Sequence, residues 1–171
     1  MIKQDTLEKQ AKIAYLGIGS NLGDRFKNIE NAKISLTENQ ITIIKSSSYY
    51  ETLSWPNKNY PKFLNIVLKV KTNLDVINLF NVCKKIEKSL GRKKTSKNSP
   101  RECDIDILDY DKTNNVVKNV NLPHPRMNKR NFVLIPLFEI NKNWTHPKSK
   151  QNIKSLIFSL SNVDITSIKQ Y

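Results

Sequence analysis

The chain has 171 residues, of which 38% are hydrophobic and 26% charged, enough for a single domain over residues 1–171 with a substantial core. No apolar run approaches the ~18 residues that span a bilayer, and the polar, charged stretch Met1–Lys12 is no signal peptide. The formal charge of +14 would suit a polyanionic partner; but Lys, Asn and Ile abound throughout and only 4 residues are Gly, which is the mark of drifted composition rather than a patch.

Taken in chain order, residues 1–11 read as a flexible extension ahead of a first strand, Lys12–Gly19, which breaks at Gly19-Ser20-Asn21-Leu22-Gly23. Asp24 is suited to cap a helix, with Phe26, Ile29, Ala32 or Lys33, and Leu36 on its apolar stripe. Ile41–Glu51 is β-prone, and the Pro- and Asn-rich stretch Trp55–Pro61 is a loop. Phe63–Lys71 alternates: Leu64, Ile66, Leu68 and Val70 share one face, while Phe63, Asn65, Val67 and Lys69 share the other. A helix over Leu74–Leu90 follows, with Asn73 as its cap and Gly91 as its stop. Then come a basic loop, Arg92–Arg101, and a strand, Glu102–Tyr110. Asp111–Asn115 is a turn, Val116–Leu122 completes a small hairpin, and helices occupy Asn131–Glu139 and Ile153–Leu160. The order β-α-β-β-α-β with C-terminal additions predicts an α+β, ferredoxin-like antiparallel sheet with both helices on one face. The other face is left available for Phe63, Asn65, Asp104 and Asp106.

Cys83 and Cys103 have no metal-ligand spacing and fall on apolar faces, as reduced core fillers in a reducing cytoplasm do. The run Asp104-Ile105-Asp106-Ile107-Leu108 is the most informative. Residues two apart on a strand share a face, so both carboxylates project together while Cys103, Ile105 and Ile107 point into a core. Paired carboxylates repel unless a cation sits between them. Hard oxygen ligands of this kind suit Mg²⁺ held jointly with substrate phosphates. From Lys84 to Arg101, eight basic residues stand against Glu87 alone, and Arg92 and Arg101 at the ends of the loop suit bidentate phosphate recognition. The loop carries no apolar anchor, so a mobile cover over a triphosphate is expected. Leu122–Phe132 packs His124, basic residues and an aromatic into a Pro-rigid stretch. Gly17-x-Gly19 resembles a phosphate-binding turn only in outline, because no Lys-Ser/Thr ending follows.

Together, several segments resemble the 6-hydroxymethyl-7,8-dihydropterin pyrophosphokinase family of folate biosynthesis. They are Ala14–Gly23, Ser47–Thr52, Phe63–Asn65, Ile86-Glu87 with Gly91-Arg92, Pro100–Leu108, and Leu122–Met127 running on to Arg130, Phe132 and Pro136–Ile140. They occur in the family's order across residues 12–140. The resemblance implies transfer of pyrophosphate from ATP to the hydroxymethyl oxygen of the reduced pterin, releasing AMP, with two Mg²⁺ ions touched by Asp104 and Asp106. It implies Arg92 and Arg101 as catalytic phosphate-binding arginines. Glu87, Ile107, His124 and Arg130 fall on the ATP side. Phe63 and Phe132 match aromatics that sandwich the pterin, Asn65 and the backbone of Thr52, Leu53 and Trp55 match its polar edge, and Asn21 lines the pocket.

Two positions depart from the family pattern: Asn98 stands where Trp is usual, and Leu53 where Pro often follows Thr. The resemblance implies a cytoplasmic monomer acting on small molecules, without nucleic acid or membrane partners. The competing reading is an RNA-binding ferredoxin-like module. It lacks the Lys/Arg-Gly-Phe-type aromatic strand, and exposed aspartates would repel phosphates. A second alternative is an inactive relative that binds pterin, suggested by Asn98 alone.

Overall fold

The computed structural model describes residues 10–54, 57–93, 96 and 98–171. In chain order they form β1 (Lys12–Ser20), α1 (Arg25–Glu38), β2 (Thr42–Ser46), β3 (Tyr50–Thr52), β4 (Phe63–Thr72), α2 (Val76–Ser89), β5 (Asp104–Tyr110), β6 (Asn115–Val117), β7 (Val120–Leu122), a single 3₁₀ turn at Met127–Lys129, α3 (Asn131–Ile140), α4 (Ile153–Phe158), α5 (Asn162–Ser167) and β8 (Lys169–Gln170). The main sheet is antiparallel throughout, in the order β5-β1-β4-β3-β8, with β2 also paired to β4. β6 and β7 pair only with each other among the described residues.

Side-chain alternation on β1, β4 and β5 feeds two cores, one on each face of the sheet. On the first face Leu16, Ile18, Leu64, Ile66, Leu68, Ile105 and Ile107 meet Ile29, Ala32 and Leu36 of α1 and Leu79, Cys83 and Ile86 of α2. Both helices start at an aspartate: Asp24 accepts from the Lys27 N–H, and Asp75 accepts from the Asn78 N–H. The expected cap at Asn73 is therefore displaced to Asp75, because Asp75 is the residue whose carboxylate reaches a free first-turn amide. Phe26, placed on the stripe of α1 by its spacing, is instead 49% exposed; it packs on the Tyr49 ring at 4.9 Å. Both cysteines are buried and free, and burial pushes their thiols up to about 12.

The second face differs from the expectation of an open surface. Its Tyr15, Val67 and Leu108 end is closed by Val133, Leu134 and Leu137 of α3, with Trp144 and Leu156 beyond. Pro136 lies inside α3, where it offers no N–H to the carbonyl of Phe132. A register shift opposite Tyr15 and Leu16 turns both Leu108 and Asp109 of β5 toward this second layer. Only the other end of the face, around Gly17 and Gly19, is left for chemistry. Of the expected N-terminal extension, residues 1–9 lie outside the described residues. Among the described residues no helix is long and apolar enough to cross a membrane.

Candidate active site

The site begins with two missing side chains. β1 continues through Gly17 and Gly19 to Ser20 rather than turning there, so these glycines are a strand floor and not a phosphate-binding turn. Gly19 stands opposite Asn65 on one side and Asp104 on the other, and Gly17 stands between Val67 and Asp106. A Cβ on Gly19 would lie 2.9 Å from Asn65 Oδ1 and 3.3 Å from the Phe63 ring. Glycine is what lets the polar edge of β4 and the carboxylates of β5 share one open surface.

Asp104 and Asp106 project together, as the alternation predicts, and each is met by cations. Arg92 reaches Asp104 Oδ1 at 2.5 Å and Arg101 reaches its Oδ2 at 3.0 Å. Arg130 lies 3.3 Å from Asp106 Oδ2, with His124 Nε2 at 3.7 Å. Burial opposes the charge on Asp104, but Arg101, Arg92 and Lys84 outweigh it and hold the carboxyl below its ordinary value. Burial, with Arg130 and Arg126, holds His124 below the ordinary imidazole value against the pull of Asp106. The imidazole is therefore neutral at pH 7.

Glu87 enters from the first core. Its side chain is 3% exposed and sits 2.6 Å from Arg92 and 2.6 Å from Lys84. It also accepts the Ile105 N–H at 2.7 Å. Glu87 thus aims Arg92 and steadies the edge of β5 rather than facing the open surface. Lys84, one turn before it, also lies 5.4 Å from the Phe80 ring. That i,i+3 relation to Glu87 is the signal by which the sequence marks Lys84 as part of the site. Ile107 turns its side chain into the first core, yet it lines a cleft of about 270 Å³ together with Phe80, Asp106, Asn121, His124 and Arg126.

On the other flank, Asn65 is buried and donates to Thr52 Oγ1 at 3.0 Å. Arg101 lies over the Phe63 ring at 5.4 Å, and Arg130 over the Phe132 ring at 5.3 Å. Among the described residues the Arg101 Nε is buried without a hydrogen-bond partner. Asn21 is a junction: its Nδ2 donates to Ser54 Oγ and the Pro61 carbonyl, both at 3.1 Å, and its Oδ1 accepts the Arg101 N–H at 2.8 Å. It therefore ties the loop after β3 to the end of the basic loop. Leu53 is exposed. Trp55 lies outside the described residues, as do Lys94, Thr95 and Lys97 of the basic loop. Asn98 takes a φ of +66°, a left-handed conformation that asparagine adopts more readily than tryptophan.

Among the described residues no group of three or more His, Cys, Asp and Glu could hold a metal ion. Asp104 and Asp106 alone are a donor set for a hard cation that completes its shell with a ligand's phosphate oxygens. The arginines around them provide for the negative charge that such a ligand brings.

The chain matches the family model "7,8-dihydro-6-hydroxymethylpterin-pyrophosphokinase (HPPK)" over residues 15–142. It is similar to the 2-amino-4-hydroxy-6-hydroxymethyldihydropteridine pyrophosphokinase of Aquifex aeolicus, 44% identical over 140 residues that cover 82% of this chain and 87% of that one. The Bacillus subtilis protein of the same name is 39% identical, covering 75% of this chain and 77% of its own. A folic acid synthesis protein of Schizosaccharomyces pombe is 35% identical over 95% of this chain, which spans only 23% of that larger protein. A solved Plasmodium falciparum HPPK-DHPS with pteroate superposes with a TM-score of 0.75 at 17% identity, covering 95% of this chain and 46% of that one. At that identity the likeness speaks for the α+β fold alone.

Proposed function

The chain belongs to the 7,8-dihydro-6-hydroxymethylpterin-pyrophosphokinase family, whose reaction is pyrophosphoryl transfer from ATP to hydroxymethyldihydropterin in folate synthesis, and on that premise we propose how its residues divide the work. The carrying observation is the open end of the sheet, where Asp104 and Asp106 face Asn65 and Phe63 across the glycine floor. The strand order β5-β1-β4-β3 with α1 and α2 on one face supports a ferredoxin-like plan. In this reading the catalyst is a single domain that acts as a monomer. Two buried free thiols support a reducing, cytoplasmic setting.

Asp104 and Asp106 would hold two Mg²⁺ together with the triphosphate of ATP. Bound there, the ions would supply neutralisation of the phosphate charge. Arg92 and Arg101 exchange their ion pairs with Asp104 for phosphate oxygens, and stabilise charge that grows toward the leaving AMP. Arg130 and neutral His124 hold the nucleotide from the Asp106 side, and the cleft beside Ile107 and Phe80 takes its base. Phe63 and Phe132 stack on the pterin, while Asn65, steadied by Thr52, and the backbone of Thr52 and Leu53 read its polar edge. Asn21 sets the pocket's wall through the two loops it joins.

AMP release should require ATP, Mg²⁺ and the reduced pterin alcohol together. Asp104→Ala and Asp106→Ala should abolish it without unfolding the protein. Near-parental turnover in either variant overturns the metal role.

A further inference from the structure

Residues 161–171 follow the part of the chain matched by the family model, and they reach the site from outside it. α5 has six residues and buries none of them, too few for a helix to persist without tertiary support. Its start is capped locally, with Ser161 Oγ accepting the Asp164 N–H at 3.1 Å and donating to Asp164 Oδ2 at 2.7 Å. Two further ties hold the segment to the rest of the protein. Asn131 Nδ2 donates to the Asp164 carbonyl at 2.6 Å and to Ser167 Oγ at 3.2 Å. β8 then extends the sheet beside β3, placing Gln170 opposite Tyr50 and Lys169 opposite Glu51, and the Tyr171 N–H donates to the Tyr49 carbonyl at 2.8 Å.

Both ties lie next to groups that shape the pterin side. Asn131 sits between Arg130, which pairs with Asp106, and Phe132. Its Oδ1 accepts the Phe132 N–H at 2.7 Å. That amide is one of the free donors of the first turn of α3, whose preceding residue Arg130 gives no side-chain cap. β3 carries Thr52, the partner of Asn65, and Tyr50, whose hydroxyl donates to Glu139 of α3 at 2.9 Å. The C-terminal segment thus runs from one wall of the site to the other.

We propose that residues 161–171 are a strap that holds Phe132, at the start of α3, over the sheet face, and that Asn131 is the positioning residue through which it acts. The inference rests on Phe132 being a pterin-stacking ring. Asn131 has two separable jobs: its oxygen caps α3, and its amide nitrogen grips the strap. Asn131→Asp keeps the acceptor, which is favourable at a helix N-terminus, and removes the donor while facing the Asp164 carbonyl with a second oxygen.

Steady-state kinetics in the full chain separate the two jobs. Asn131→Asp should raise the pterin KM about five- to ten-fold, as expected for one lost hydrogen bond, with kcat, the ATP KM and the melting temperature near those of the parent protein. Amide exchange over residues 165–171 should quicken. Tyr171→Pro removes the Tyr171 N–H donation to Tyr49 from the other tie and should raise the pterin KM in the same direction. The double variant should show less than the product of the two effects, as two anchors of one strap do. Ser167→Ala, which removes the longer contact of Asn131 and the Ser167 hydroxyl's own 3.0 Å donation to the Asp164 carbonyl but leaves the shorter Asn131 contact, should give a smaller rise and provides a second route if Asn131→Asp does not fold. A parental pterin KM in Asn131→Asp or, where it does not fold, in Ser167→Ala overturns the proposal, as does an equal rise in the ATP KM. Phe132→Ala separates the premise from the inference. A parental pterin KM in that variant removes the ring assignment. A strong defect there beside a normal Asn131→Asp removes the strap alone.

Discussion

The two ends of the sheet's second face are built on the same three strands and differ in almost every other respect. At one end Tyr15, Val67 and Leu108 pack beneath Val133, Leu134 and Leu137. At the other, Gly17 and Gly19 leave a floor between Asn65 and two carboxylates surrounded by cations. A pair of aspartates on β5 carries the contrast. Burial works against charge on both. At Asp104 the arginines prevail and the carboxyl is held low, whereas at Asp109 burial prevails over the Trp144 hydrogen bond and the carboxyl is held high. One end is arranged to keep charge available, and the other to exclude water.

That contrast can be broken first at the open end. Asp106→Asn keeps size and removes charge; it should lower kcat by at least ~10²-fold, comparable to the loss of one preorganised electrostatic contact, with no loss in chemical denaturation. At the closed end, Leu137→Ala should cost about 2–5 kcal/mol of stability and leave the pterin KM unchanged, as read by urea titration and steady-state rates. A result in which Leu137→Ala impairs the chemistry more than the fold would merge the two ends.

Trp144→Phe removes the 2.8 Å donor to buried Asp109. The expected loss at pH 7 is about 1–3 kcal/mol, the cost of an unsatisfied buried acceptor. The sign with pH follows from the raised carboxyl. Its contribution is fully present below the ordinary value of 3.8 and is lost as pH rises through the higher folded value. The variant's deficit should therefore narrow toward pH 3. Asp104 behaves oppositely: its contribution is present above 3.8 and is lost as pH falls through the depressed folded value.

The glycines sharpen the boundary between the ends. Gly19→Ala places a Cβ 2.9 Å from Asn65 Oδ1, so Asn65 must move, and a pterin KM roughly ten-fold higher is expected, the equivalent of one hydrogen bond. Gly17→Ala meets Leu108 at an ordinary 3.4 Å and should be tolerated, or stabilise by about 0.4–1 kcal/mol through the unfolded chain. Equal kinetic defects in both variants would show that the floor is a packing requirement and not a feature of the site. The smallest effect is the His124 titration: its imidazole midpoint, followed by NMR, should lie below 6.5, and Arg126→Ala should raise it modestly.

Much of this was legible along the chain. Alternation placed Phe63 with Asn65 and Asp104 with Asp106, and the capping and stop residues bounded α1 and α2 to within a few positions. The C-terminal end was less legible. α5 has six residues and buries none of them, and β8 has just two residues whose strand character comes from pairing with β3. Likewise, Glu87 reads as one acid among basic residues, and only its burial against Arg92, Lys84 and the Ile105 N–H makes it an aiming group.

By itself the sequence determined which residues share a strand face, where helices start, and that two carboxylates stand beside arginines, because these follow from periodicities and caps that act within a few residues. Only the tertiary structure decided that half of the second face is closed, that Gly17 and Gly19 are a floor, and that Asp109 turns inward while Asp104 stays charged. Those outcomes depend on a register shift in β5, on α3 returning over the sheet, and on loops joined by Asn21 from positions distant in the chain. The physical reason is that burial and the field at a charged group are sums over neighbours that the fold, and not the local sequence, brings together.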